Sequence, residues 1–329
     1  MTAARTHRLL PALNHASMIL FAAVLAVFGF LSPKFFTIPN LTNILVQSSS
    51  TAIVAIGMTF VLLTAGVDLS VGAIMFVAAA VAGKMVLGGA PLWLALLVIL
   101  LVGLAFGAIN AFFIVRLRII AFIVTLATLY LGRGFALWFT ETRAMNLPPG
   151  FLAIGTDTLL GIPLPILLFA VVLAVAHVVL TCTPFGRQIY AVGQDVEGAR
   201  KAGISTGRIL AAVYLISGFC AAVGGILALA QLGAVSPTFG TNKEFAAIAA
   251  AALGGTSLFG GRGHVFPGTV LGAVLIQSIE NGLVILNADP YLYPLITSGI
   301  IFLAVLTDSL RSALLTKLAQ RKIRVEEVR

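Results

Sequence analysis

LWLALLVILLVGLAFGAINAFFIV, residues 92–115, carries no charged side chain and runs straight into the basic residues Arg116 and Arg118. About 20 consecutive apolar residues suffice for a helix to cross the ~30 Å hydrocarbon core of a bilayer. Basic residues at the end of such a run mark its cytoplasmic side. Outward from this stretch the pattern recurs at 17–31 and at about 41–65, 70–88, 119–139, 163–182, 209–231, 244–257, 266–287 and 291–308. The run at 244–257 is short and rich in Ala and Gly, and is the weakest of the set. The expectation is an all-α polytopic membrane protein of about ten transmembrane helices.

Composition supports the same class. The chain is 60% hydrophobic and only 9% charged, with a mean hydropathy of +1.11, where a soluble domain carries about 25% charged residues. The net charge of +9 does not point to nucleic acid: the basic residues sit in short loops between apolar runs rather than on the face of a soluble fold. Cys182 and Cys220 show neither metal-ligand spacing nor a disulfide framework and read as small apolar fillers of helices. The basic start followed by the short apolar run 17–31 resembles a signal peptide, but the run ends in Ser32-Pro33-Lys34 without a small-residue cleavage pattern, so a retained first span is expected.

With ten spans and both termini in the cytoplasm, fifteen of the 20 Lys and Arg residues fall on the cytoplasmic side; Lys34, Lys84, Arg133, Arg143 and Lys243 are the others. Nine or eleven spans would break this bias over one half of the chain. The organisation is then a cytoplasmic segment 1–16, one transmembrane domain over 17–308 with a cytoplasmic loop at 183–208, and a basic cytoplasmic tail at 309–329. The polar, Pro- and Gly-rich segment 140–162 reads as an exposed loop. Arg133 is placed near a membrane surface, where it snorkels.

In a lipid-embedded chain the polar and irregular segments carry the information. Within 57–72, a span ends in Thr64-Ala65-Gly66 and the next begins after Asp68 and Ser70, both good N-cap residues, with Gly66 freeing the backbone to turn. This is either a tight capped turn or a polar element on the bundle's inner face. The glycine-rich run 254–264 lacks the Gly-Lys-Ser/Thr of a phosphate-binding loop and follows no strand, so it reads as a close-packed cytoplasmic turn. In 183–208, Asp195 is a natural N-cap, Glu197 opposes the helix dipole in the first turn, Arg200 and Lys201 occupy the last, and Gly203 is a left-handed stop. A helix of two turns is marginal alone and needs a surface or a partner to hold it. Glu280 and Asn281 fall mid-span, where Glu280 is expected to face the bundle interior, a pore or a subunit contact. The pairs Gly103/Gly107 and Gly268/Gly272 permit close helix packing without implying a dimer. His177 reads as packed rather than liganding. No catalytic constellation, metal cluster or cofactor motif is found.

These segments together resemble the permeases of the ribose-type carbohydrate ABC importers over roughly 35–308. The marks are Gly57-Met58-Thr59 through Gly66-Val67-Asp68-Leu69-Ser70-Val71-Gly72; Ala121 through Leu126; Gly193 to Ile204; and Ala247-Ile248-Ala249-Ala250 through Gly254-Gly255-Thr256-Ser257-Leu258 to Gly268-Thr269. The chain departs from the family pattern at Ile120, Asp195, Ala246 and Glu280. The resemblance implies a type II importer-like bundle in the bacterial inner membrane, pairing as a dimer, with a homodimer expected. It implies a periplasmic substrate-binding protein and a cytoplasmic ABC ATPase that does the hydrolysis, so the chain is not itself an enzyme. It assigns the helix around 195–202, with Asp195, Glu197, Arg200, Lys201 and Gly203, to ATPase coupling. Asp68, Ser70, Glu280 and Asn281 are expected along the translocation path or in gating. The alternatives are a permease of the branched-chain amino-acid importer group and a stand-alone secondary transporter. The latter would call for more paired intramembrane carboxylates than Asp68 and Glu280 supply.

Overall fold

The computed structural model describes residues 16–299, 302 and 306. The N-terminal segment before residue 16, part of the run 291–308 and the tail 309–329 lie outside the described residues, so the placement of both termini does too. Helices dominate: α1 (Ala16–Leu31), α2 (Ile38–Leu63), α3 (Val71–Leu87), α4 (Leu92–Ala111, continued by a π-turn at Phe112–Arg116), α5 (Ala121–Thr140), α6 (Pro149–Thr156), α7 (Leu164–Cys182), α8 (Pro184–Gln194), α9 (Val196–Lys201), α10 (Thr206–Leu232), α11 (Lys243–Leu253) and α12 (Val270–Ile285, preceded by a π-turn at Val265–Thr269). Six of these segments are long and apolar enough to cross a membrane: α2, α4, α5, α7, α10 and α12, with α4 and α12 counted together with their π-turns.

The remaining runs are shorter. The runs at 17–31 and 70–88 form the apolar helices α1 and α3. The run at 244–257 becomes α11, whose 11 residues rise only about 16 Å, half of a hydrocarbon core. It ends at Gly254, and Gly255 follows at φ +87°. That helix does not cross a bilayer by itself.

The described residues form two compact units, one from 16–40 and 278 onward, the other from Leu41–Gln277. In the larger unit α2 and α10 are the inner helices. In α2, 83% of the most apolar window is buried, against 22% in α4 and in α7. The interior of α2 contains Ser48-Ser49-Ser50-Thr51, and hydroxyls along it bond to helix carbonyls: Ser49 Oγ donates to Leu45 O (2.7 Å), Ser50 Oγ to Gly224 O in α10 (2.8 Å) and Thr59 Oγ1 to Ala55 O (2.8 Å). Small residues admit close neighbours while their polar atoms stay partnered. Gly103 and Gly107 of α4 lie against the carbonyls of Gly218 and Tyr214 in α10; a methyl at position 107 would fall 2.6 Å from the Tyr214 oxygen. That small-residue pair therefore packs within one chain. Gly268 and Gly272 meet the Gly254 and Ala250 carbonyls in the same way.

The segment 140–162 is more ordered than a loop. Pro149 starts α6, which packs on α10 with Phe151 fully buried, and Gly155 lies against the backbone at Ala230. Met145 pairs with Val235 and Thr158 with Pro163 in two short antiparallel ladders. In the smaller unit Phe28 stacks on Phe35 with centroids 5.6 Å apart, and Gly282 lies against the Phe28 ring.

Candidate functional site

Thr183 begins the polar insertion by accepting a hydrogen bond from Gly186 N at its Oγ1 (3.2 Å), which caps α8. That helix, unforeseen in the sequence, buries Ile189 and Val192. It ends at Asp195, whose backbone N–H donates to Ala191 O (3.1 Å) while its Oδ1 accepts from Glu197 N (3.0 Å) and so caps α9. The C-terminal end also closes as expected. Gly203 sits at φ +82°, Gly203 N donates to Arg200 O and Ile204 N to Ala199 O (both 3.0 Å). Only Ala199 of α9 is buried; Glu197, Arg200 and Lys201 are exposed, with Arg200 Nη2 3.0 Å from Glu197 Oε2. An exposed pair of this kind adds well under about 1 kcal/mol.

The α8–α9 unit is anchored through backbone. Gly193 abuts the Leu63 carbonyl at the end of α2 and the Gly261 N–H, and Gly261 N donates to Leu63 O (2.9 Å). Any side chain at 193 would occupy the space of that carbonyl. Tyr190 Oη donates to Gly263 O (2.8 Å). Half-burial raises the Tyr190 pKa above its ordinary value, so the phenol keeps its proton and stays a donor at physiological pH. The glycine-rich run is the close-packed turn expected: Ser257 N donates to Arg262 O (2.8 Å), and Gly260 and Gly261 have φ of +85° and +69°. At its tip Phe259 is 91% exposed.

The same end of α2 leads into Asp68. The left-handed residue of the turn is Ala65, at φ +59°, not Gly66; Gly66 is needed because a methyl there would come within 2.7 Å of the Tyr214 hydroxyl. Ser70 precedes α3 without a side-chain cap. Asp68 turns the chain instead: its Oδ1 accepts from Ser70 N (3.0 Å) and Ser70 Oγ (2.6 Å), and its Oδ2 accepts from Ser217 Oγ of α10 (2.7 Å). Asn110 Nδ2 of α4 donates to Ser70 Oγ (2.8 Å), and Thr128 Oγ1 of α5 donates to Asn110 Oδ1 (2.9 Å). Asp68, Ser70 and Asn110 are wholly buried. Four helices, α3, α4, α5 and α10, thus meet at one polar knot.

A second polar group lies in the same unit, and the sequence reading passed over it. Arg133, half-buried, projects from inside α5 with its Cζ 5.9 Å from the centroid of Phe76 in α3, and its Nη2 is buried with no hydrogen-bond partner among the described residues. Glu244, in the first turn of α11, is 4% exposed, and its Oε2 lies against Gly72, likewise without a hydrogen-bond partner. Next to it Lys243 Nζ donates to Thr51 Oγ1 of α2 (3.1 Å). The available signal was two charged residues opening a run too short to span.

The smaller unit holds the other two expected residues, Glu280 and Asn281. Asn281 is buried and exchanges hydrogen bonds with Asn40, each Nδ2 donating to the other's Oδ1 at 3.0 Å. Glu280, one residue earlier on α12, is exposed. His177 packs edge-to-face on Phe266 with centroids 6.1 Å apart. Among the described residues no group of His, Cys, Asp and Glu is arranged to hold a metal ion.

Comparison with known proteins places this geometry. The profile of the family described as "Branched-chain amino acid transport system / permease component" matches residues 40–306. The ribose import permease of Haemophilus influenzae is 38% identical over 302 residues, 90% of this chain and 93% of that protein. The D-allose transport system permease of Escherichia coli K12 is 37% identical over 302 residues, 91% and 92% of the two chains. The autoinducer 2 import system permease of Photorhabdus laumondii is 34% identical over 316 residues, 94% of each. No solved structure matches.

Proposed function

The chain belongs to the branched-chain amino acid transport system / permease component family, and on that premise we propose that it is the conduit through which an ATP-driven importer takes up a small sugar or polyol. It is a permease subunit of an ABC importer and a multi-pass protein of the bacterial inner membrane. Its ATPase is a separate subunit, and a periplasmic binding protein delivers the solute. The family description is broad; relatives named for ribose and D-allose, matched over nine-tenths of the chain, favour a sugar over a branched-chain amino acid.

The observation that carries the coupling mechanism is the mounting of α9. It is capped at both ends, buries one side chain, turns Glu197, Arg200 and Lys201 outward, and is joined through Gly193 to the end of α2. A short charged helix held rigidly from behind suits a lever gripped by the ATPase. Val196, 46% exposed, and Phe259 supply apolar contacts beside the charges. In this reading ATP-driven movement of Asp195, Glu197, Arg200, Lys201 and Gly203 passes through Gly193 to α2 and the turn that Asp68 and Ser70 organise. The knot ties four helices to that turn, which supports a gating role for both residues as the joint through which the movement passes. Glu280 and Asn281 flank the path, Glu280 facing outward toward a second permease subunit or the pore.

A homodimer and a lipid-facing outer surface complete the proposal. Exposed Leu97, Leu101, Val171 and Val175 on α4 and α7 support the last. The test is reconstitution in proteoliposomes with the ATPase and binding protein. Uptake of labelled D-ribose or D-allose that requires both partners and ATP is expected; ion-driven uptake by the permease alone would overturn the reading.

A further inference from the structure

In the larger unit Glu244 of α11 is buried and Arg133 of α5 half-buried, and each keeps a buried polar atom without a hydrogen-bond partner among the described residues. Two opposite charges in a low-dielectric interior attract strongly. Yet these two do not close to a contact ion pair. Their mountings explain why. The guanidinium lies over the Phe76 ring, which is fully buried and fixed on α3. The carboxylate is wedged against Gly72 at the start of α3, beside the Gly240 carbonyl, and its place in the first turn of α11 suits an ionised carboxylate. The protein holds a donor and an acceptor apart at the level of one helix start.

We propose that Arg133 and Glu244 are the sugar-contacting pair of the permease, the guanidinium donating to one hydroxyl oxygen of the passing solute and the carboxylate accepting from a hydroxyl O–H. A hydroxyl both donates and accepts, so neighbouring hydroxyls on one sugar satisfy both atoms at once. A free anion is repelled by Glu244 and a free cation by Arg133, which leaves a neutral polyol or a zwitterion; the relatives named for ribose and D-allose favour the polyol. Net neutrality and only two polar contacts also keep the grip weak enough for release, as a conduit requires. This inference rests on the sugar-importer reading above.

The experiment uses the complete importer in proteoliposomes and follows uptake of D-ribose, D-allose and leucine alongside ATP hydrolysis stimulated by the binding protein. Each charge-assisted hydrogen bond lost corresponds to about tenfold or more in rate. Glu244→Gln and Arg133→Lys are expected to lower sugar uptake by about tenfold or more and to change the ribose-to-allose ratio. Assembly with the ATPase and stimulated hydrolysis should stay within about twofold, as expected when only contacts to the solute are lost. Wild-type uptake and an unchanged ratio in both variants would overturn the inference. So would a parallel fall in assembly, hydrolysis and uptake that the exchanged double variant Arg133→Glu/Glu244→Arg restores, since that marks a structural pair. Wild-type vesicles that import leucine, or neither sugar, would instead overturn the sugar reading itself, before any variant is made.

Discussion

Asp68 and Glu244 are both buried carboxylates beside the start of α3, and their surroundings could hardly differ more. Asp68 accepts three hydrogen bonds from Ser70 and Ser217, and the chain continues through Asn110 to Thr128 until every member has a partner. Among the described residues Glu244 has an oxygen that finds no donor, and Arg133 a nitrogen that finds no acceptor. A saturated buried network ties helices together and resists change; an unsaturated one is poised for something that moves through. Within one small region the protein thus separates a joint from a contact surface.

Breaking that contrast should have its largest effect at the joint. Asp68→Ala strands the Ser70 and Ser217 hydroxyls and the Ser70 N–H in the interior. The expected loss is about 3–5 kcal/mol, read as a steep fall in the melting temperature of the purified permease and in its yield. Glu244→Ala should melt close to wild type, because no hydrogen bond to the Oε2 atom is lost. Equal destabilisation by the two would erase the distinction. Gly193→Ala comes next: the methyl collides with the Leu63 carbonyl, and the displaced backbone should cost about 1–3 kcal/mol. The variant should also separate ATP hydrolysis from uptake, measured together in proteoliposomes. Thr128→Val removes only the outermost bond of the Asp68 network and should cost about 1 kcal/mol in the same melting assay. The smallest effect belongs to Glu197→Ala, which breaks an exposed ion pair and should leave the melting temperature within about a degree.

The two regions were unequally legible. The spans could be read because lipid demands long apolar runs, and the α9 caps could be read because Asp195 and Gly203 act on their immediate neighbours. Asp68 announced itself as a turn residue, but Ser217, which lies 149 positions away, can be paired with it only by the fold. Arg133 and Glu244 failed for the same reason: each looks like a stray charge until α5, α3 and α11 come together. Local composition misled twice. Pro- and Gly-rich 140–162 hides a helix because Phe151 has an apolar site on α10 to fill. The apolar character of 244–257 suggested a span, although Lys243 and Glu244 begin it and Gly254-Gly255 end it.

The measurement closest to the central claim reverses the charges of the helix rather than its fold. Glu197→Lys, Arg200→Glu and Lys201→Glu together leave the Asp195 cap and the Gly203 stop intact. The reconstituted importer carrying them should retain its melting temperature, lose stable association with the ATPase and lose ATP-driven sugar uptake by about tenfold or more. A variant that still holds the ATPase and imports at the wild-type rate would contradict the assignment of α9 as the coupling element.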